Sequence, residues 1–104
     1  LFSTTGDLAR FAQALSAGQL LGAEAREQMW MSVPFEKTTI DAVEGYGIGW
    51  TVDQQDGHRR VWHSGGGKAA LMHYPDENLT VIVLTNRAGF DVYTPTTEIA
   101  ALYL

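Results

Sequence analysis

The chain has 104 residues, no cysteine and a net charge of −5, with 45% hydrophobic and 18% charged residues. That balance is of a folded, globular kind, and the length allows one small domain with a core of its own, without disulfides or thiolate metal sites. Its seven basic residues, single apart from Arg59-Arg60, form no patch for a nucleic acid, and no apolar run is long enough to span a bilayer.

The first element is a helix in STTGDLARFAQALSAG. Thr4 and Asp7 have capping-box spacing, Leu8, Phe11, Ala12 and Leu15 form one apolar stripe, and Gly18 is placed to stop it. A shorter helix is expected over residues 24 to 32, with Arg26, Met29, Trp30 and Val33 on one face and Pro34 beyond it. Residues 35 to 45 read as a loop. Four β-like runs follow: YGIGWTVD, RRVWHS, AALMHY and LTVIVLT, separated by QQDG, GGGK and PDEN. Consecutive strands with short turns predict an antiparallel meander. In LTVIVLT, Leu79, Val81 and Val83 point one way and Ile82 and Leu84 the other, so helices should cover both faces of the sheet and this strand should be central. A last helix should start near Thr94-Pro95, with proline at its first position and Ile99, Leu102 and Tyr103 on its apolar face. The fold class is therefore α+β, an antiparallel meander of three to four strands flanked by helices. The chain opens at Leu1-Phe2 and ends in an apolar EIAALYL, so residues 1–104 are expected to be one segment of a longer protein.

The densest chemistry lies in VWHSGGGKA, residues 61 to 69. A phosphate loop fails, because Trp62 and Ala69 occupy positions that need glycine and a hydroxyl, and a strand follows where a helix is required. A G-x-S-x-G nucleophile turn also fails at Trp62, and only His73 lies downstream as a candidate histidine. His58 and His63 are five apart and point to opposite strand faces, with no carboxylate cluster beside them, so no metal or cofactor site is expected. GYGIGW precedes no helix and reads as a strand in which small residues permit close backbone approach. What remains is one wall of a serine-hydrolase site, or a plain strand end running into a glycine turn. In the order cation, hydroxyl, glycine, His63-Ser64-Gly65 parallels the K-T-G strand that lines the cleft of penicillin-binding proteins and β-lactamases.

With LFSTTGDLARFAQAL, GYGIGW, HSGGG and YPDENLTVIVLTN in this order, the chain resembles the serine β-lactamase-like hydrolases, near the class C β-lactamases, related esterases and D-aminopeptidases. The resemblance covers nearly the whole chain and implies the C-terminal part of a β-lactamase/transpeptidase-like fold. It matches His63 to the lysine of K-T-G, Ser64 to the threonine and Gly65 to the glycine. It matches Gly66 to a residue whose backbone N–H serves the oxyanion hole. Two departures stand out. The P-G-F type bend after the glycines is replaced by Gly67-Lys68, which shortens the turn. Moreover, no serine has a lysine three residues on, and no Y-x-N or S-x-N occurs.

The resemblance thus implies the C-terminal portion of a hydrolase that cleaves a small ester, amide or β-lactam through an acyl-serine intermediate. No catalytic nucleophile is expected within these residues, so the chain alone should be inactive. Its compartment would be periplasmic or secreted if the longer protein carries a signal peptide, and cytoplasmic otherwise. The alternative is a non-catalytic binding or assembly module of the same fold. Because family members pair N-terminal strands beside the strand matching Leu79 to Thr85, a homodimer through that edge is also expected.

Overall fold

The structure is a computed structural model that describes residues 2–33 and 45–104. The loop expected over 35 to 45 falls outside the described residues except for Gly45.

Helix α1 spans Thr5–Ser16. The Thr4 hydroxyl accepts the Asp7 N–H at 3.1 Å, which satisfies one of the amides that a helix start leaves unpaired. At the other end Gly18 adopts φ +73°, its N–H donates to the Leu15 carbonyl, and the Gln19 N–H donates to Ala14. This paired closure needs a residue at ease in the left-handed region, which is why a glycine ends the helix. The stripe is narrower than expected: Ala12 and Leu15 are buried and Leu8 packs beside them, while Phe11 is 44% exposed.

Helix α2 covers Ala23–Met29, shorter than the expected 24 to 32. It ends early because the backbone beyond it is used elsewhere. Val33 exchanges both hydrogen bonds with Tyr46, and the Met29 carbonyl accepts the Ile48 N–H. Val33 is consequently exposed and does not share the helix face.

Five strands, one more than expected, form a single antiparallel sheet in sequence order: β1 Gly45–Tyr46, β2 Thr51–Gln55, β3 His58–Gly65, β4 Ala69–Tyr74 and β5 Leu79–Leu84. The additional strand arises because YGIGWTVD breaks at residues 47–50. There the chain passes so near α2 that a Cβ on Gly47 would lie 2.3 Å from the Met29 carbonyl oxygen, and only glycine fits. The β2–β3 hairpin turns on Asp56-Gly57, both at positive φ, the backbone that matches the twist of adjoining strands.

Strand β5 is a sheet edge among the described residues, not a central strand. Its two apolar sides reflect what lies above and below it, which is independent of how many strands it pairs with. On one side Ile82 packs on the core of Leu15, Trp30, Trp50, Val52, Val61 and Leu71, to which α1 contributes. On the other, Val81 packs with Met72, Tyr74 and Ala100 beneath helix α3, Tyr93–Ala101.

The start of α3 also differs from expectation. The Asp91 carboxylate accepts the N–H of Tyr93 at 2.9 Å and of Thr94 at 3.4 Å, so the helix begins before Pro95. Pro95 sits within the first turn, where its missing N–H costs nothing. The buried face is Thr96 and Ala100, with Tyr93 and Leu104 alongside, and Ile99, Leu102 and Tyr103 are exposed. Small residues let the helix lie close to the sheet, an arrangement that a count of large apolar residues does not reveal.

Candidate functional site

The candidate site lies where β3 runs out into the glycine turn. His63, Ser64, Gly65 and Gly66 are all exposed there, and the strand's pleat sends His63 and Ser64 to opposite faces. The turn closes with the Lys68 N–H donating to the Gly65 carbonyl at 3.0 Å. Gly66 and Gly67 take φ +57° and +63°, two successive left-handed residues that a side chain would strain. No hydrogen bond engages the N–H of Gly66 or Gly67 among the described residues. A Cβ built on Gly65, Gly66 or Gly67 meets no atom within 4 Å, so the turn is open to an incoming molecule.

The His63 ring is held from both sides. Its Nδ1 lies 2.7 Å from the Ser64 carbonyl and its Nε2 lies 2.9 Å from the Tyr46 hydroxyl. A carbonyl oxygen can only accept, so Nδ1 carries a hydrogen. In the neutral ring, Nε2 is then the acceptor and the Tyr46 phenol donates to it. The rings meet edge to face, 6.1 Å between centroids. Tyr46 was not singled out in the sequence. It lies 17 residues from His63 and is brought near by two antiparallel pairings, Tyr46 with Thr51 and Thr51 with Trp62. Among the described residues no three histidine or acidic side chains gather as a metal site.

A family model described as Beta-lactamase matches residues 1–103. The chain belongs to the β-lactamase family. Among solved structures it is similar to a penicillin-binding protein from Bacillus halodurans, with a TM-score of 0.78 and 25% identity over 96% of this chain. The match covers 30% of that protein, so these residues span under a third of its length. No curated protein matches. The α+β fold read from the sequence is that of the corresponding part of a penicillin-binding-protein-like domain.

Behind the site, this β-lactamase-family chain buries an ion pair that the sequence reading did not detect. Arg60 and Asp53 face each other across β2 and β3, each 2% exposed, joined by two bonds of 2.7 Å. Gln55 and the Tyr93 hydroxyl accept further bonds from the guanidinium, and the Trp62 indole donates to Asp53 at 3.0 Å. Burial by itself would lower the Arg60 pKa, but its bonds to Asp53 and Tyr93 outweigh that and hold it above the ordinary arginine value. Trp62 and Arg60 thus fix the strand segment that carries His63 and Ser64.

His73, on the opposite sheet face, bonds Ser16 Oγ through Nε2 at 2.8 Å and Thr80 Oγ1 through Nδ1 at 2.9 Å. Burial pushes its pKa below the ordinary imidazole value and the Arg26 charge adds to this, against an opposing contact at the Leu79 backbone. The folded state therefore refuses a proton that the unfolded chain accepts. Stability is full above about pH 6.5, the unfolded value, and falls as pH drops from there towards the folded pKa, by up to about 1.4 kcal/mol per pH unit. Urea unfolding at pH 7.5, 6.5 and 5.5 should register this loss, and His73→Gln should flatten it. Equal slopes in the two proteins would rule His73 out as the cause.

Proposed function

We propose that these residues form the substrate-facing wall of a serine acyl hydrolase whose nucleophile lies upstream in a longer chain. The observation that carries this reading is the open glycine turn beside the Tyr46–His63 pair, with the Gly66 N–H unengaged among the described residues. In that reaction a serine hydroxyl attacks the substrate carbonyl carbon and its proton passes to a base. The carbonyl oxygen takes up negative charge, and a preorganised backbone N–H stabilises it. Gly66 supplies such a donor from a backbone conformation fixed by its positive φ. Gly65 leaves room for substrate to lie against β3, and Ser64 offers a hydroxyl contact to it. By its resemblance to the K-T-G strand, His63 stands in the position of the motif's lysine. In its neutral form it brings no positive charge, which favours an uncharged ester or amide over a carboxylate-bearing β-lactam. No cofactor enters this reaction.

The chain alone should not turn over substrate, because an oxyanion donor without its nucleophile has nothing to assist. A chromogenic ester and a chromogenic β-lactam incubated with the purified polypeptide should react at the background rate. Hydrolysis above background that disappears in Ser64→Ala would make Ser64 a nucleophile and overturn the proposal.

The outer edge of β5 supports a second expectation. In the longer protein it is available to an upstream strand; in the 104-residue chain it is available to a second copy, giving a homodimer joined along residues 79–85. Light scattering should give twice the monomer mass, with slowed amide exchange across this strand. A monomer at every concentration, with those amides exchanging fast, would sink the dimer.

A further inference from the structure

We propose that a cleft at the other end of the sheet is a binding site for a small carboxylate, distinct from the glycine turn. The cleft has a volume of about 700 Å³ and opens between the end of α1, helix α2 and the β4–β5 turn. Its wall includes Ser16, Arg26, Trp30, Arg59 and His73, with Asp76 exposed at the rim.

Three features point to an anionic ligand. Trp30 is 2% exposed, yet among the described residues its Nε1–H has no acceptor, and the Nε–H of Arg26 has none either. Buried donors without partners are rare in folded proteins, and both belong to residues that line this cleft, so an acceptor bound there would answer them. Second, the guanidinium charge of Arg26 is answered only by dipoles: Nη1 donates to the Leu15 and Ser16 carbonyls at the end of α1, and no ion pair forms to Arg26 among the described residues. Its neighbour Arg59 is already neutralised by Glu27 at 2.9 Å. Third, the lining combines cations with aromatic rings, a surface suited to a carboxylate that carries a ring. The Arg26 and Arg59 guanidiniums lie 5.7 and 6.0 Å from the Trp30 ring centroid, and the His73 ring is tilted against the same indole at 5.5 Å. His73, itself engaged by Ser16 and Thr80, adds no opposing charge.

The two donor nitrogens are closed to solvent, so the carboxylate reaches them as Arg26 turns from the α1 carbonyls toward the cleft. Binding therefore exchanges two neutral acceptors for a charged one, a stronger hydrogen-bond type. Among the described residues of the lining, Asp76 is the one acidic charge that works against it without a partner of its own.

The test uses benzoate as the probe and benzamide, its uncharged counterpart, as the control. Each is titrated into the ¹⁵N-labelled chain while the three tryptophan indole N–H resonances are followed. Benzoate should move the Trp30 resonance saturably and leave Trp50 and Trp62 in place, whereas benzamide should move none. Arg26→Gln should weaken benzoate about tenfold, the loss expected for one charge-assisted hydrogen bond. Asp76→Asn should tighten it about twofold, as removal of one exposed like charge does. Asp76→Asn leaves the α1 terminus untouched and so remains informative if Arg26→Gln fails to fold. Absence of a saturable Trp30 shift, or an equal response to benzamide, would overturn the site. Neither result bears on the acyl-hydrolase reading, which concerns the other end of the sheet.

Discussion

Replacing Asp53 by alanine should destabilise the chain by about 3–5 kcal/mol, the cost of leaving one member of a buried ion pair uncompensated. Arg60 is 2% exposed and cannot reach water without unpacking α3 from the sheet. Without Asp53 its guanidinium keeps Gln55, the Met72 sulfur, the Tyr93 hydroxyl and the faces of Trp62 and Tyr93, at 5.5 and 5.4 Å. Those contacts orient the cation but supply no charge. The Trp62 indole loses its acceptor at the same time. Since a domain of this size has only about 5–15 kcal/mol in total, the variant should melt on the order of 20 °C lower or fail to fold. The double replacement Asp53→Leu with Arg60→Met removes both charges together and should recover most of the loss. Thermal and urea unfolding of the single and double variants measure this directly. A single variant within about 1 kcal/mol of the parent would show that the pair is solvated in solution.

This ion pair also marks the limit of what the residues reveal before folding. Thr4, Gly18 and Asp56-Gly57 act through their own backbone and near neighbours, so the α1 cap, its stop and the β2–β3 turn were legible one after another. Arg59-Arg60 stood out only as the one adjacent pair of basic residues, at the head of a β-like run. The strand separates them: Arg59 points to the α2 side and meets Glu27, while Arg60 points beneath α3 and meets Asp53. Pairing β2 with β3 in register would have set Asp53 against Arg60, but nothing in either residue type announces burial. Tyr46 is a similar case. The glycines around it correctly signalled close backbone approach, which Gly47 against Met29 bears out, yet they drew attention from the phenol that reaches His63. In α3 the large residues misled. Thr96 and Ala100 are fully buried because the helix lies close to the sheet, and Ile99 and Leu102 are left outside.

In the longer hydrolase proposed here, His63→Lys should shift preference from uncharged esters towards substrates that bear a carboxylate. In its neutral form the imidazole donates through Nδ1 to the Ser64 carbonyl and accepts from Tyr46 at Nε2, so both its nitrogens are occupied and it carries no charge to a substrate carboxylate. A lysine ammonium is charged at all working pH values, and its flexible stem can swing past Tyr46 towards a substrate carboxylate. A hydrogen bond to a charged partner contributes about 1.5–3 kcal/mol, which corresponds to roughly 10–100-fold in kcat/KM for the carboxylate substrate relative to a neutral ester of the same acyl group. The measurement is that ratio at pH 8, in the parent and in His63→Lys. Tyr46→Phe is the companion variant. It removes the donor to Nε2 and frees the ring, so it should alter the ratio far less than the lysine does while changing the His63 ring-nitrogen chemical shifts. If His63→Lys leaves the ratio unchanged, the side chain at this position does not face substrate. The wall would then consist of the glycine backbone and Ser64 alone.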